Sequence, residues 1–320
     1  MMENIERRTS SVTNVETIFN ARQKPWEGLG EEIEGAVTSK EAIKLAGLDW
    51  NVVARSVKDS YTGLDIPGWK ANVRDIDNSV LGMVTDKYKI IQNDEAFAFT
   101  DALLGEGVKY ETAGSLYGGK RVWMLAKLDT KDLAGEKIDP YLVFTNSHDG
   151  KGSVRVAMTP IRICCSNTLN LALRKSKRQW ACSHMGNIDG KLEDARQTIL
   201  NSEKYLQALR TEFETLKLKK ITKDKMFEFT KELLPITIED TELKARRIQE
   251  DRDMLMTCWD APDLQQTENS MFKLVNAVSD YSTHKPARRM TRTVQENRFM
   301  NIVNGDTLID KAYKIALREI

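Results

Sequence analysis

The sequence predicts an α+β protein: an antiparallel β-sheet packed with helices, followed by a helical C-terminal region. Two patterns carry this. From residue 48 to 178, short stretches rich in β-formers are divided by Gly, Asp, Asn and Ser, in the order strands, helix, four strands, helix. After residue 188 the apolar residues recur in steps of three and four, the period of a helix. With 41% hydrophobic and 30% charged residues in 320, the chain has enough apolar surface for a core. The expected divisions are an N-terminal extension over 1–37, an α+β core over 38–188 and a helical domain or arm over 189–320.

Residues 1 to about 22 are polar, and Pro25-Trp26-Glu27-Gly28-Leu29-Gly30 reads as a turn-rich segment with one large anchor. Thr38 opens a helix, with Glu41 three residues on as in a capping box, and Gly47 closes it. Trp50 to Val57 alternates as a strand. Trp69 to Val73 and Val80 to Val84 form a hairpin turned by Asp75 to Ser79. Asn93 to Leu104 is helical, with Ala96, Phe97, Thr100, Leu103 and Leu104 on one face and Gly105 as the stop. Val108 to Ala113 and Arg121 to Leu128 flank a Gly118-Gly119 turn. Tyr141 to Asn146 and Ser153 to Met158 make a further hairpin around His148-Asp149-Gly150, and a helix follows from Asn167 to about Lys177.

In the C-terminal region, Leu192, Ala195, Ile199, Ser202, Leu206, Leu209, Phe213 and Leu216 form an a/d-like seam. It either closes within the chain, on Lys225 to Leu234 or Leu243 to Trp259, or pairs between chains. Met271, Leu274, Val275 and Val278 mark a last amphipathic helix.

Charge separates the regions. Residues 1–140 hold 23 acidic and 18 basic residues, a net of −5 (18 − 23), although the whole chain carries +1. From Lys151 to Trp180 there is no Asp or Glu, and seven cations stand there: Lys151, Arg155, Arg162, Arg174, Lys175, Lys177 and Arg178. Cations at a helix C-terminus gain ~0.3–1 kcal/mol each from the dipole, which accounts for one or two of them but not for the missing acids. The stretch is either a phosphate-binding surface or a solvated or intersubunit face. Lys285, Arg288, Arg289 and Arg292 form a second basic cluster, on a loop marked by Pro286. Tyr117 and Trp180 are the aromatic residues placed to stack on bases, since Trp123 lies within an apolar strand.

Other chemistry finds little footing. No apolar run reaches the ~18 residues of a membrane span, so no membrane partner is expected. Met1 to Ser11 has no apolar secretion signal, and four cysteines in this length fit a reducing cytoplasm. Cys164, Cys165, Cys182 and His184 lack the paired spacing of a zinc site, and adjacent cysteines on a strand face opposite ways. A Cys165–His148 nucleophile pair has no supporting spacing, and Gly114 with Gly118-Gly119 is not followed by the Lys-Ser/Thr of a phosphate loop. No catalytic residue, cofactor or metal is therefore expected.

Five motifs carry a resemblance. They are Pro25-Trp26 with Gly28-Leu29-Gly30, Ala46-Gly47-Leu48-Asp49-Trp50, Glu111 to Leu116, Asn146 to Gly150, and Thr159-Pro160-Ile161-Arg162 with Cys165-Ser166-Asn167-Thr168-Leu169-Asn170. Over about residues 22–300 the chain resembles the phage/plasmid-like proteins, a domain family of unknown function. The resemblance implies a bacterial cytoplasm and brings no activity with it. Where that family commonly has His after the motif Trp, this chain has Glu27, which argues against a metal or catalytic role there. At the level of element order the chain is also similar to Rad-type and RecT/Red-beta single-strand annealing proteins, which assemble as rings or filaments.

Three functions follow as expectations. The first is a non-catalytic single-stranded DNA binding or annealing protein of a mobile element, acting as a homo-oligomer, with the two basic clusters, Tyr117 and Trp180 as its contacts. The second is a protein-interaction factor, such as an inhibitor of a host defence complex, with a host or phage protein as partner. The third is an enzyme using Cys165 or His148.

Overall fold

The structure is a computed structural model that describes residues 26, 29–33, 38–103, 109–162, 168–169, 171, 179–186, 202–305 and 307–320. The architecture is α+β: two antiparallel sheets with helices against them, then a helical C-terminal region.

Chain order begins with β1 (Glu31–Glu32), inside the segment read as an extension, and α1 (Ser39–Leu45). The Thr38 hydroxyl accepts from the Glu41 amide at 3.1 Å, and Gly47 at φ +62° ends α1 in a conformation that costs glycine little. β2 (Val52–Lys58), β3 (Asp65–Arg74) and β4 (Val80–Thr85) form a three-stranded sheet. Asp77 closes the β3–β4 turn, accepting from the Ser79 amide at 3.0 Å and from Arg74 Nε at 2.9 Å. This small sheet is seated on the larger one. Asn72 Nδ2 donates to the His148 carbonyl at 2.8 Å, and a Cβ on Gly82 would stand 2.6 Å from the Asp149 Cα.

The helix expected from Asn93 to Leu104 is α-helical only over α2 (Asn93–Phe97), then tightens into a 3-10 turn over Ala98–Leu103. The Thr100 hydroxyl donates to the Phe97 carbonyl at 2.6 Å, a local bond that competes with the α-helical ladder. Asp101 is turned back to α1, accepting from the Ser39 hydroxyl at 2.9 Å.

The large sheet holds β1, β5 (Lys109–Leu116), β6 (Arg121–Lys127), β8 (Glu136–Ser147), β9 (Val154–Arg162) and β10 (Gln179–Cys182) side by side, with β7 (Lys131–Leu133) also paired to β8. Its middle strands are buried on both faces, which is why Arg121 to Leu125 reads as a continuous apolar run after the arginine. Val122, Met124, Leu142, Phe144, Val154 and Val156 point into one core, whose buried residues run from Ile33 to Ala316. Trp123, Leu125, Tyr141 and Val143 point the other way into a second core with Trp26, Phe299, Met300 and Val303. The expected helix over Asn167 to Lys177 falls almost entirely outside the described residues. Within it, Thr168 makes an isolated bridge to Ile161.

The helical region comprises α3 (Ser202–Leu218), α4 (Lys223–Leu233), α5 (Glu242–Trp259), α6 (Pro262–Gln265), α7 (Met271–His284), α8 (Val294–Asn304) and α9 (Thr307–Arg318). The described half of the heptad-like seam closes within the chain: Leu206, Leu209, Phe213 and Leu216 are buried, and the rings of Phe213 and Phe272 lie 5.0 Å apart. Its main partners are α7 and β7 and not the two segments expected, and Leu192 to Ile199 lie outside the described residues. The last amphipathic helix is a correction too. α3, α5 and α9 all pack on α7, so Met271 to Tyr281 is buried on every side, Asn276 and Asp280 included. Among the described residues no helix is long and apolar enough to cross a membrane.

Candidate nucleic-acid interface

The face of the large sheet that carries the second core changes character at one end. Strand alternation places Arg121, Trp123 and Leu125 on that face of β6, and Tyr141, Val143, Thr145 and Ser147 on that face of β8. Arg121 pairs with Ser147 and Trp123 with Thr145. Thr145 in turn pairs with Arg155 of β9. The sheet therefore delivers two guanidinium groups, one on each side of β8, just past the point where the apolar packing stops.

The β8–β9 turn adds a third cation. Asp149 folds the turn on itself, accepting from Ser147 Oγ at 2.7 Å and from the Lys151 amide at 2.8 Å. Gly150 takes φ +75°, and a Cβ on Gly152 would stand 2.6 Å from Ser147 Oγ, so the turn closes tightly over the strand end. Met300 and Asn304 of α8 supply the opposite wall. The result is a cleft of about 350 Å³ lined by Arg121, Lys151, Arg155, Thr145, Asn146, Ser147, Gly152 and Ser153 together with those two. Among the described residues its lining contains no Asp or Glu.

Arg121 Nε is buried without a hydrogen-bond partner, and its guanidinium lies 5.8 Å from the centroid of the Tyr117 ring. Arg155 reaches only a neutral partner, Gln179 Oε1 at 3.2 Å. Burial, and then the neighbouring Arg121 charge, hold the Arg155 guanidinium below its ordinary pKa. Both causes disfavour the charged form, and a bound anion would offset both.

Of the residues singled out in sequence, Lys151 and Arg155 meet in this cleft. Arg162 ends β9, with its backbone opposite Ile138. Arg174, Lys175, Lys177 and Arg178 lie outside the described residues. Gln179, next in the chain after Arg178, is the residue that accepts from Arg155. Tyr117 sits at φ +54° on the β5–β6 turn, where its hydroxyl donates to Asn297 Oδ1 at 2.8 Å and its amide to Glu296 Oε1 at 2.7 Å. Half-buried against the second core, it props Arg121 and pins α8; it is not an open stacking platform. Burial also raises its phenol pKa.

Two further expectations are corrected. Trp180 pairs with Val156 and packs with it on the first core, on the face opposite the cleft. Arg288 is not a free cation. Glu250 and Asp251 of α5 hold it at 2.9 and 2.8 Å, and the Arg247 carbonyl accepts from it at 2.9 Å. Arg289 and Arg292 are exposed on the loop before α8. That loop borders a separate cleft of about 1120 Å³, lined in part by Arg246, Glu250, Asp251, Asp253 and Arg298, which mixes both signs of charge. Only α8 contributes residues to both clefts.

His148, raised in sequence as a partner for Cys165, is wholly buried, and its Nε2 donates to Asn93 Oδ1 at 2.9 Å. Burial, with His184 adding to it, pushes its imidazole down to about 3. Cys164 and Cys165 lie outside the described residues; Cys182 and Cys258 are buried. Among the described residues no group of three or more His, Cys, Asp or Glu is placed to hold a metal ion.

Arg121 is the cleft residue that sequence reasoning missed. The available signal was an arginine opening an apolar strand on the same alternation as Trp123, directly after a Gly-Gly turn. Fold and site together define an α+β protein with a cationic cleft at the end of its central sheet. The chain belongs to the family described as a domain of unknown function, DUF932, which it matches over residues 80–302. No curated protein and no solved structure matches it.

Proposed function

We propose that this protein binds single-stranded DNA of a phage or plasmid in a bacterial cytoplasm, as an oligomer and without catalytic chemistry. One observation carries the reading: Arg121, Lys151 and Arg155 converge on a single cleft whose lining, among the described residues, has no carboxylate. Guanidinium groups without an internal counter-charge are suited to phosphate oxygens, which they engage bidentately. The cationic stretch Arg174 to Arg178 runs in sequence directly into Gln179, the partner of Arg155, and would extend the basic surface along a strand. Annealing in the manner of the Rad-type and RecT/Red-beta proteins, in a ring or filament, is the activity that would follow. The test is fluorescence anisotropy with a labelled mixed-sequence oligonucleotide across a salt series, paired with light scattering. Binding that weakens steeply with salt supports the reading; no binding at low salt sinks it.

A specific observation favours a second reading, a protein-interaction factor such as an inhibitor of a host defence complex. The outer side of the small sheet and its turns leave Tyr61, Leu64, Trp69, Ile76, Val80 and Met83 exposed. Scattered apolar residues are ordinary on a surface, but Trp69 and Met83 belong to paired strands of one small sheet. Capture of a stoichiometric, nuclease-resistant partner from host lysate, abolished by W69S with M83S, would favour it over the first.

A further inference from the structure

The cationic cleft is a small recess with two walls. The turn from Asp149 to Ser153 forms one side, and Met300 with Asn304 of α8 forms the other. Its volume of about 350 Å³ is near the lower end of small-ligand sites, which run from ~300 to ~1,000 Å³. A surface that tracks a strand takes ~4–16 nucleotides per fold. A recess of this size takes a single nucleotide end, not a run of nucleotides.

The charge of the recess exceeds what a chain interior offers. An internal phosphodiester carries a single negative charge, whereas a phosphate monoester carries ~1.5 to 2 at pH 7, with a second pKa near ~6. Three cations line the recess, two of them guanidinium groups placed on either side of β8. Arg121 Nε remains a buried donor without an acceptor. Asp149, the acid of the turn, accepts from Ser147 Oγ and the Lys151 amide and is not among the residues that line the recess. Gly152 leaves the space beside Ser147 and Arg121 that a side chain would fill: its added Cβ would lie 2.6 Å from Ser147 Oγ and 3.6 Å from Arg121 Nε.

We propose that the recess seats the terminal phosphate of a single strand, a phosphomonoester dianion held by Arg121, Arg155 and Lys151, so that the protein recognises strand ends. This rests on the nucleic-acid reading above and narrows it. Size and charge both favour the doubly charged end of a strand.

The experiment compares oligonucleotides of one sequence carrying a 5′-phosphate, a 3′-phosphate or hydroxyls at both ends, by anisotropy on the full chain. A phosphorylated end is expected to bind about tenfold tighter than the hydroxyl-ended strand, the worth of one added charge-assisted hydrogen bond. That preference should shrink as pH falls from 7.5 to 5.5 and the monoester loses its second charge. It should vanish in R121Q and R155Q, each first checked for an unchanged melting temperature. The pH comparison on the unaltered protein stands even where a variant fails to fold. Equal affinity for all three ends would overturn the inference while leaving single-strand binding intact. Absence of binding to any strand would remove the nucleic-acid reading and this one with it. Inorganic phosphate and dTMP serve as competitors: displacement of the phosphorylated strand at concentrations near its own dissociation constant would assign the recess to a free small phosphate and overturn strand-end recognition.

Discussion

Arg121 on β6 and Arg155 on β9 stand on either side of β8 on one face of the sheet, opposite Ser147 and Thr145. Among the described residues neither is matched by a carboxylate in the cleft they line, and Arg155 is held below its ordinary pKa by burial and by Arg121. Two like charges held together in a folded protein cost stability, so their arrangement is informative about what is meant to lie between them.

The first prediction concerns salt. R121A and R155A should each weaken binding of single-stranded DNA to a similar degree whatever its sequence. Each should also reduce the slope of log K against log salt by ~0.7, the value per phosphate on a single strand. R288A serves as contrast, because Glu250 and Asp251 already neutralise that side chain; it should leave the slope unchanged. A slope that stays constant in R121A and R155A would remove the cleft from the interface.

The second concerns the turn. G152A places a Cβ 2.6 Å from Ser147 Cβ and Oγ. The turn must shift, at ~1–3 kcal/mol by the usual cost of overpacking. Urea denaturation should report that loss, and anisotropy should report weaker DNA binding, since Lys151 moves with the turn.

The third concerns pH. His148 is neutral in the fold, with a pKa of about 3, against ~6.5 for an unfolded chain. Between those values the unfolded chain binds the extra proton, so stability is complete above ~6.5 and falls as pH drops. From pH 6.5 to 5 the loss should approach ~2 kcal/mol for this group alone, and His184, also lowered by burial, adds in the same sense. Melting temperature followed over that window should decline in the native chain and flatten in H148Q. Parallel curves for the two would contradict the assignment.

The fourth concerns assembly. Phe213 packs on Phe272 within one chain, so F213A should cost ~3–5 kcal/mol of stability, as large-to-small core changes do. Light scattering on the folded fraction should show the same mass as the native protein. Dissociation of an oligomer without loss of stability would mean that the seam pairs between chains.

The local parts of this fold were legible because they depend on few residues. Thr38 with Gly47 bounds α1, Asp75 to Ser79 turns β3 into β4, and Gly118-Gly119 turns β5 into β6. β1, β7 and β10 were not, since two to four residues carry no measurable alternation. α7 was misjudged because its sequence shows one apolar stripe, while three helices happen to cover the remainder. The site was half legible. A run free of acids marks Lys151 and Arg155, but only strand register brings Arg121 beside them and turns Trp180 away.

The second core has a practical consequence. Trp26 from near the beginning of the chain, Trp123 and Tyr141 from the central sheet, and Phe299 from near its end share one apolar cluster. The Trp26 and Tyr141 rings lie 4.7 Å apart, and those of Trp123 and Phe299 lie 4.6 Å apart. Trimming either terminus to obtain a smaller, more tractable fragment would expose the other two contributors to water. Removing the segment that carries Phe299, Met300 and Asn304 would also take away one wall of the cationic recess. A shortened protein that fails to bind DNA would therefore say nothing about which side chains recognise it.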